Sequence, residues 1–255
     1  MTAIVLLALL GLAVGSFLNL CCDRLPHGRS IVTPASHCEA CGRRLGLVDL
    51  VPLFSYLWLR GRCRHCGTHI SLRVPVLEIA TALLFALLTW KYGLSPQLPM
   101  ALVYACIFLI IFVTDLEHGL ILDVVVYPGM ALAFVFSFFW PGLGWPSLGV
   151  LSALLGGAIG FSLLLVPYLV SRGGMGGGDV KLAGLIGLAT GFPHVFLAIA
   201  IAIVAAGLLA IALLALRRKT RKQAIPFGPF LAAVAMVTIV WGQPISDWIL
   251  GLVAG

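Results

Sequence analysis

Two kinds of residue in this chain have the type and spacing to do chemistry: paired cysteines and a few carboxylates in apolar surroundings. Cys38-Glu39-Ala40-Cys41 and Cys63-Arg64-His65-Cys66 are two C-x-x-C pairs separated by 21 residues. Two intervening residues let both thiolates of a pair point at one ion, and two such knuckles complete a tetrahedral site. Gly42 and Gly67 follow the pairs directly and supply the backbone freedom a tight knuckle needs. Cys38, Cys41, Cys63 and Cys66 are therefore the expected ligands of one structural Zn²⁺, with no open position for catalysis. A polar segment of about fifty residues buries little core, so a metal would supply much of its folding energy. Disulfides are the alternative use of these thiols, and His37, His65 and His69 are alternative ligands. Cys21, Cys22 and Cys106 lie in or beside apolar runs and read as packing residues.

The chain has nine acidic residues, so each can be weighed. Asp23, Glu39, Asp49 and Asp247 have ordinary solvated readings. Glu78, Asp115, Glu117, Asp123 and Asp179 fall within or at the ends of apolar runs, where ionisable groups are costly and usually face a bundle interior or an aqueous cavity. Two carboxyls brought together in a partly apolar site share a proton, because both cannot ionise. Such a pair activates a water with its ionised member and protonates a carbonyl oxygen with the other. Asp115 and Asp179 are the expected pair. Gly176 and Gly178, beside Asp179, would let an extended backbone approach closely. Asp123 and Lys181 are supporting candidates: Lys181 pairs with a carboxylate or snorkels to the interface, and Asp123 positions its loop. Glu78 reads as structural, paired with Arg73 or a loop arginine. The duller reading of each aspartate is an interfacial cap or ion-pair partner.

These residues must be positioned by a membrane protein. Of 255 residues, 61% are hydrophobic and 10% charged, with a mean hydropathy of +1.12, whereas a soluble domain is about a quarter charged. Apolar runs fall at about 2–20, 75–90, 99–114, 124–140, 148–170, 180–191, 193–216 and 227–250. The expectation is an all-α polytopic membrane protein of about eight transmembrane helices with a small cytoplasmic zinc-ribbon-like module. Its parts are a first helix (1–22), the four-cysteine zinc module (23–74), a second helix with its outer loop (75–98) and a membrane domain (99–255). The net charge of +7 is concentrated between apolar runs. Eight of the sixteen Lys and Arg lie between Arg24 and Arg73, and five more lie within 217–222. Basic loops of this kind stay cytoplasmic and touch anionic lipid, which argues against nucleic acid as the partner. The run at 180–191 would reach only ~18 Å at 1.5 Å per residue, too short for a ~30 Å hydrocarbon core. It therefore starts deep in the membrane or lies beside a thinned or water-filled region, with both aspartates near the cytoplasmic face.

In order along the chain, these features resemble the bacterial type IV prepilin peptidases, membrane aspartyl proteases with a Gly-x-Gly-Asp motif. The resemblance runs through Gly15-Ser16-Phe17-Leu18-Asn19, Arg24-Leu25-Pro26, the two cysteine pairs, residues 51–57 and Arg73-Val74-Pro75-Val76-Leu77-Glu78. It continues through Asp115 with Asp123, then residues 174–181 and Pro226-Phe227-Gly228-Pro229-Phe230. Leu122 and Glu39 stand where that family often has proline. The resemblance implies cleavage of the basic leader of type IV prepilins and pseudopilins at the cytoplasmic (inner) membrane, with Asp115 and Asp179 catalytic. It further implies N-methylation of the new terminal residue from S-adenosylmethionine, supported by the cysteine region. No strand–Gly-x-Gly–helix pattern marks a methyl-donor site. A carboxylate-dependent proton or metal transporter, and a zinc-bearing membrane scaffold, are the readings from other classes.

Overall fold

The computed structural model describes residues 1–139, 149–170, 175–216 and 226–254. Among them the regular structure is helical: α1 (Thr2–Arg24), α2 (Phe54–Trp58), α3 (Arg73–Tyr92), α4 (Gln97–His118), α5 (Asp123–Ser137), α6 (Val150–Val170), α7 (Gly177–Thr190), α8 (His194–Ala215) and α9 (Gly228–Ala254). Six stretches are long and apolar enough to cross a membrane; α5 and α7 are shorter, at 15 and 14 residues. The eight predicted runs thus correspond to eight helices, and the protein is a multi-pass membrane protein. The predicted end of the fourth run, the 141–147 connection and the basic cluster at 217–222 lie outside the described residues, as do Gly173 and Gly174.

The chain divides into two compact units, Met1–Cys106 and Ile107–Gly255. In the first, α1 packs on α3 through two glycines four residues apart, which the 3.6-residue period sets on one helix face. A Cβ on Gly11 would lie 2.7 Å from Ala82 Cα, and one on Gly15 would lie 2.7 Å from Glu78 Cα. Small residues at this spacing let helix backbones touch, the main source of packing energy where lipid is as apolar as the side chains. The donors of Asn19 and Thr81 are bonded within this contact, while Asn19 Oδ1 is buried with no partner among the described residues. Asn19 Nδ2 donates to Gly15 O (3.2 Å) and Val74 O (3.0 Å), and Thr81 Oγ1 donates to Leu77 O (2.7 Å).

The second unit is organised around α7, which packs against α5, α6, α8 and α9. Leu182, Ala183, Leu185 and Ile186 are fully buried. The closest contact is with α6, where a Cβ on Gly187 would fall 2.0 Å from Gly156 O and one on Gly156 would fall 2.3 Å from Gly187 O. Beyond the helix end, Ser152 Oγ donates to Phe192 O (2.9 Å) and Phe192 N donates to Ser152 O (3.0 Å), a reciprocal clamp. This enclosure explains how a helix of about 21 Å is tolerated: protein surrounds it, so its length need not match the bilayer. The sequence reading started this helix at Val180, after an irregular glycine run. The helix instead begins at Gly177, so Gly177 and Gly178 are helical and Asp179 stands in the first turn. Gly178 is packed by Ile121 of the α4–α5 loop, while Gly177 is exposed.

Gly187→Ala and Gly156→Ala should each force α6 and α7 apart and cost about 1–3 kcal/mol. The expected result is a lowered thermal midpoint in detergent. Gly207→Ala, where a Cβ meets nothing within 4 Å, should leave the midpoint unchanged or raise it.

Candidate functional site

Two of the predicted constellations assemble, one in each unit. In the first unit the two C-x-x-C pairs form matching knuckles. Gly42 N donates to Cys38 O at 2.8 Å and Gly67 N to Cys63 O at 3.0 Å; Cys38 N donates to Arg43 O at 2.9 Å and Cys63 N to Thr68 O at 2.8 Å. Both turns close on a glycine in the left-handed region, with φ of 67° at Gly42 and 71° at Gly67, which is why glycine follows each pair. The four Sγ atoms all lie within 4.8 Å of one another, and Cys38 Sγ is 3.8 Å from Cys66 Sγ. A tetrahedral ion with bonds of about 2.3 Å sets its sulfurs about 3.8 Å apart, so the donor set fits one such ion.

The electrostatics point the same way. The Thr68 hydroxyl, then its backbone N–H, bring the Cys66 thiol down to about 6. The Arg43 backbone lowers Cys41, but burial and the neighbouring Cys38 and Cys66 sulfurs outweigh it and push Cys41 up to about 11. Four thiolates this close repel one another, so full ionisation requires a cation among them. The histidines stand outside the cluster: His65 Nδ1 lies 3.2 Å from Arg43 Nη1, and His37 Nδ1 lies 3.1 Å from Ala35 O. Asp49 accepts from Gly46 N (3.1 Å) and from Arg64 Nε (2.7 Å).

Glu78 is 3% exposed and is not paired as the sequence suggested. Its Oε2 accepts the Leu53 backbone N–H at 2.7 Å, and the Ser16 hydroxyl also bonds to it. Arg73, the expected partner, donates from Nη2 to Asp23 Oδ1 at 2.5 Å. Helix geometry explains the difference. Arg73 opens α3 and turns to Asp23 at the end of α1, while Glu78 lies more than a turn further in, against the middle of α1.

In the second unit, Asp115 on α4 and Asp179 on α7 are 5% and 8% exposed, and their carboxyl groups interact electrostatically. Asp115 Oδ2 is buried, and the Gly228 backbone N–H is directed at the Asp115 carboxyl. At the start of α9, a Cβ on Gly228 would fall 2.6 Å from Asp115 Oδ2, so this backbone approaches the carboxyl as only glycine can. The α4–α5 loop closes the arrangement through Ile121. Its Cβ would lie 2.8 Å from a Cβ on Gly178, and its Cδ1 would lie 3.0 Å from one on Gly228. Gly178 thus makes room for Ile121, while a Cβ on Gly176 would sit 3.3 Å from Asp179 Oδ2.

Lys181 and Asp123 also come together. Lys181 Nζ donates to both Asp123 oxygens, at 2.8 and 2.9 Å, and lies 5.3 Å from the Tyr127 ring centroid. This joins the first turn of α5 to the first turns of α7. Sequence reasoning missed Ile121, Tyr127 and the role of Gly228. An aliphatic loop residue and a helix tyrosine carry no local signal, although the Pro-Phe-Gly-Pro-Phe run did mark the position of Gly228.

For the expected methyl donor, the described residues provide no strand–turn–helix cradle, since their extended structure amounts to two isolated bridges.

Comparison with known proteins agrees with this organisation. Residues 9–92 match the model of the bacterial peptidase A24 N-terminal domain, and residues 102–211 match that of the type IV leader peptidase family. A prepilin leader peptidase/N-methyltransferase of Bacillus subtilis is 33% identical over 98% of this chain and 99% of its own length. Proteins of the same name from Pseudomonas putida and Pseudomonas aeruginosa are each 32% identical, over 95% and 93% of this chain and 92% and 90% of theirs. No solved structure matches the chain. With relatives of this similarity along nearly its whole length, the chain belongs to the type IV prepilin leader peptidase/N-methyltransferase family.

Proposed function

We propose that this protein cleaves the leader peptide from type IV prepilins and pseudopilins with Asp115 and Asp179 as its catalytic pair. The observation that carries the reading is the meeting of two buried, interacting carboxyls from α4 and α7. Such a pair holds one proton between them. The ionised aspartate takes a proton from a water, whose oxygen attacks the scissile carbonyl carbon. The protonated aspartate donates its proton to the carbonyl oxygen, giving a tetrahedral diol. Return of a proton to the amide nitrogen breaks the C–N bond and releases leader and mature chain. The Gly228 backbone holds Asp115 at close range. The Lys181–Asp123 pair fixes the first turns of α7 that carry Asp179, and Gly178 admits Ile121 against that turn.

Cys38, Cys41, Cys63 and Cys66 hold one structural Zn²⁺ in this reading, supported by their mutual distances. The module and the active site face the cytoplasm of the inner membrane, because the basic residues concentrate in the module's segment. Methylation of the new N-terminus with S-adenosylmethionine rests on the names of the relatives.

Asp115→Asn and Asp179→Asn should each abolish leader removal from a prepilin N-terminal peptide, followed by mass, while the protein still inserts; normal processing by both variants would sink the assignment. Running the same peptide with and without S-adenosylmethionine tests methylation in one sample. Gly228→Ala should push the Asp115 carboxyl aside and reduce cleavage by about tenfold to a hundredfold, with insertion and melting little changed. Elemental analysis should find about one zinc per chain. Chelation should loosen the module, read as faster proteolysis within residues 29–70, and a metal-free preparation with paired disulfides would overturn the site.

A further inference from the structure

Short helix α2 in the first unit exposes an apolar face that the peptidase reading does not use. Phe54, Leu57 and Trp58 fall at i, i+3 and i+4, the spacing of one helix face, and are 68%, 64% and 86% exposed. Val48 and Val51, just before the helix, are exposed as well. Arg60, Arg62 and Arg64 follow it, and all three are exposed. A polar loop bathed in water would not be expected to show a neighbouring Phe, Leu and Trp to solvent.

The Leu53–Glu78 bond indicates what covers this face. Leu53 immediately precedes α2, and its N–H is held at 2.7 Å by a carboxylate of α3. Glu78 is the sixth residue of α3, about 7 Å along the helix axis from Arg73. The start of α2 is therefore tied below the end of a membrane-crossing helix. That depth matches the ~5–10 Å at which apolar faces of interfacial helices settle. Leu53 adopts φ 60°, ψ −47°, a costly conformation for leucine that the carboxylate contact helps to hold. The lipid-facing surface is continuous nearby, since Val76 and Leu72 of the same helix end are exposed.

We infer that α2 is an interfacial anchor: Phe54, Leu57 and Trp58 lie in the acyl–headgroup boundary, and Arg60 and Arg62 contact anionic headgroups. The charge sign selects the lipid, and Trp at this depth suits its amphipathic ring. The anchor keeps the cysteine module against the membrane surface, and it does not depend on the peptidase reading.

The test uses the full chain in nanodiscs of phosphatidylglycerol, with Trp58 replaced by the photo-crosslinking residue benzoylphenylalanine. Irradiation should give lipid adducts at position 58 comparable to those from the same residue installed at Val76, a lipid-facing position in α3. Arg60→Gln combined with Arg62→Gln should lower the adduct yield at position 58 at least threefold in phosphatidylglycerol but not in phosphatidylcholine. Adducts at position 76 without adducts at position 58 would overturn the anchor. So would a position-58 crosslink that forms only to an added prepilin, which would make this face a protein-docking surface. Equal yields for wild type and the double variant in phosphatidylglycerol would remove the arginines from the proposal.

Discussion

A carboxyl group within a membrane-spanning bundle must be enclosed by protein, and that constraint governs the second unit. Asp179 sits in the first turn of α7, a helix too short to face lipid along its length, and the unit is arranged to wrap it. The contact of Gly156 with Gly187 brings α6 against α7 at backbone distance. The Ser152–Phe192 clamp satisfies the backbone where α7 ends. With α5 and α9 packed on other sides, the helix leaves only its first turns free to meet Asp115, Ile121 and the start of α9. The glycines therefore work at two places, close packing along the helix and close approach of Ile121 and Asp115 at its head.

The first unit solves a related problem differently. Its polar module has little apolar core, so its order comes from the two cysteine knuckles and from attachments to the helices beside it. Glu78 makes one of these attachments. As a buried carboxylate it needs donors, and it finds them in a backbone N–H of the module and the Ser16 hydroxyl. The same bond that satisfies Glu78 sets the depth of α2, so burial of one charge and placement of the module are a single arrangement.

Much of this was legible in the sequence. The apolar runs, the knuckles with their trailing glycines, and the isolation of a few carboxylates among apolar residues are local signals with a direct physical cause. Pairings were less legible. Glu78 sits close to Arg73 in sequence, yet it bonds to Leu53, twenty-five residues away, because α3 carries the two side chains in different directions. The short run at 180–191 looked like a helix entering the membrane from an irregular glycine segment. In the structure Gly177 and Gly178 belong to the helix, and Ile121 packs closely on Gly178.

The sequence by itself determined the membrane setting, the succession of apolar runs, the four sulfurs of the module and the short list of carboxylates set among apolar residues, since hydropathy, spacing and the rarity of charge are properties of the chain alone. Only the tertiary structure decided that Asp115 and Asp179 interact, that Lys181 belongs to Asp123, that Gly228 and Ile121 complete their surroundings, and that Glu78 holds the module. Those facts depend on which helices touch. Contact at backbone distance is set by the fit of glycines and side chains far apart in the chain, which no local pattern encodes.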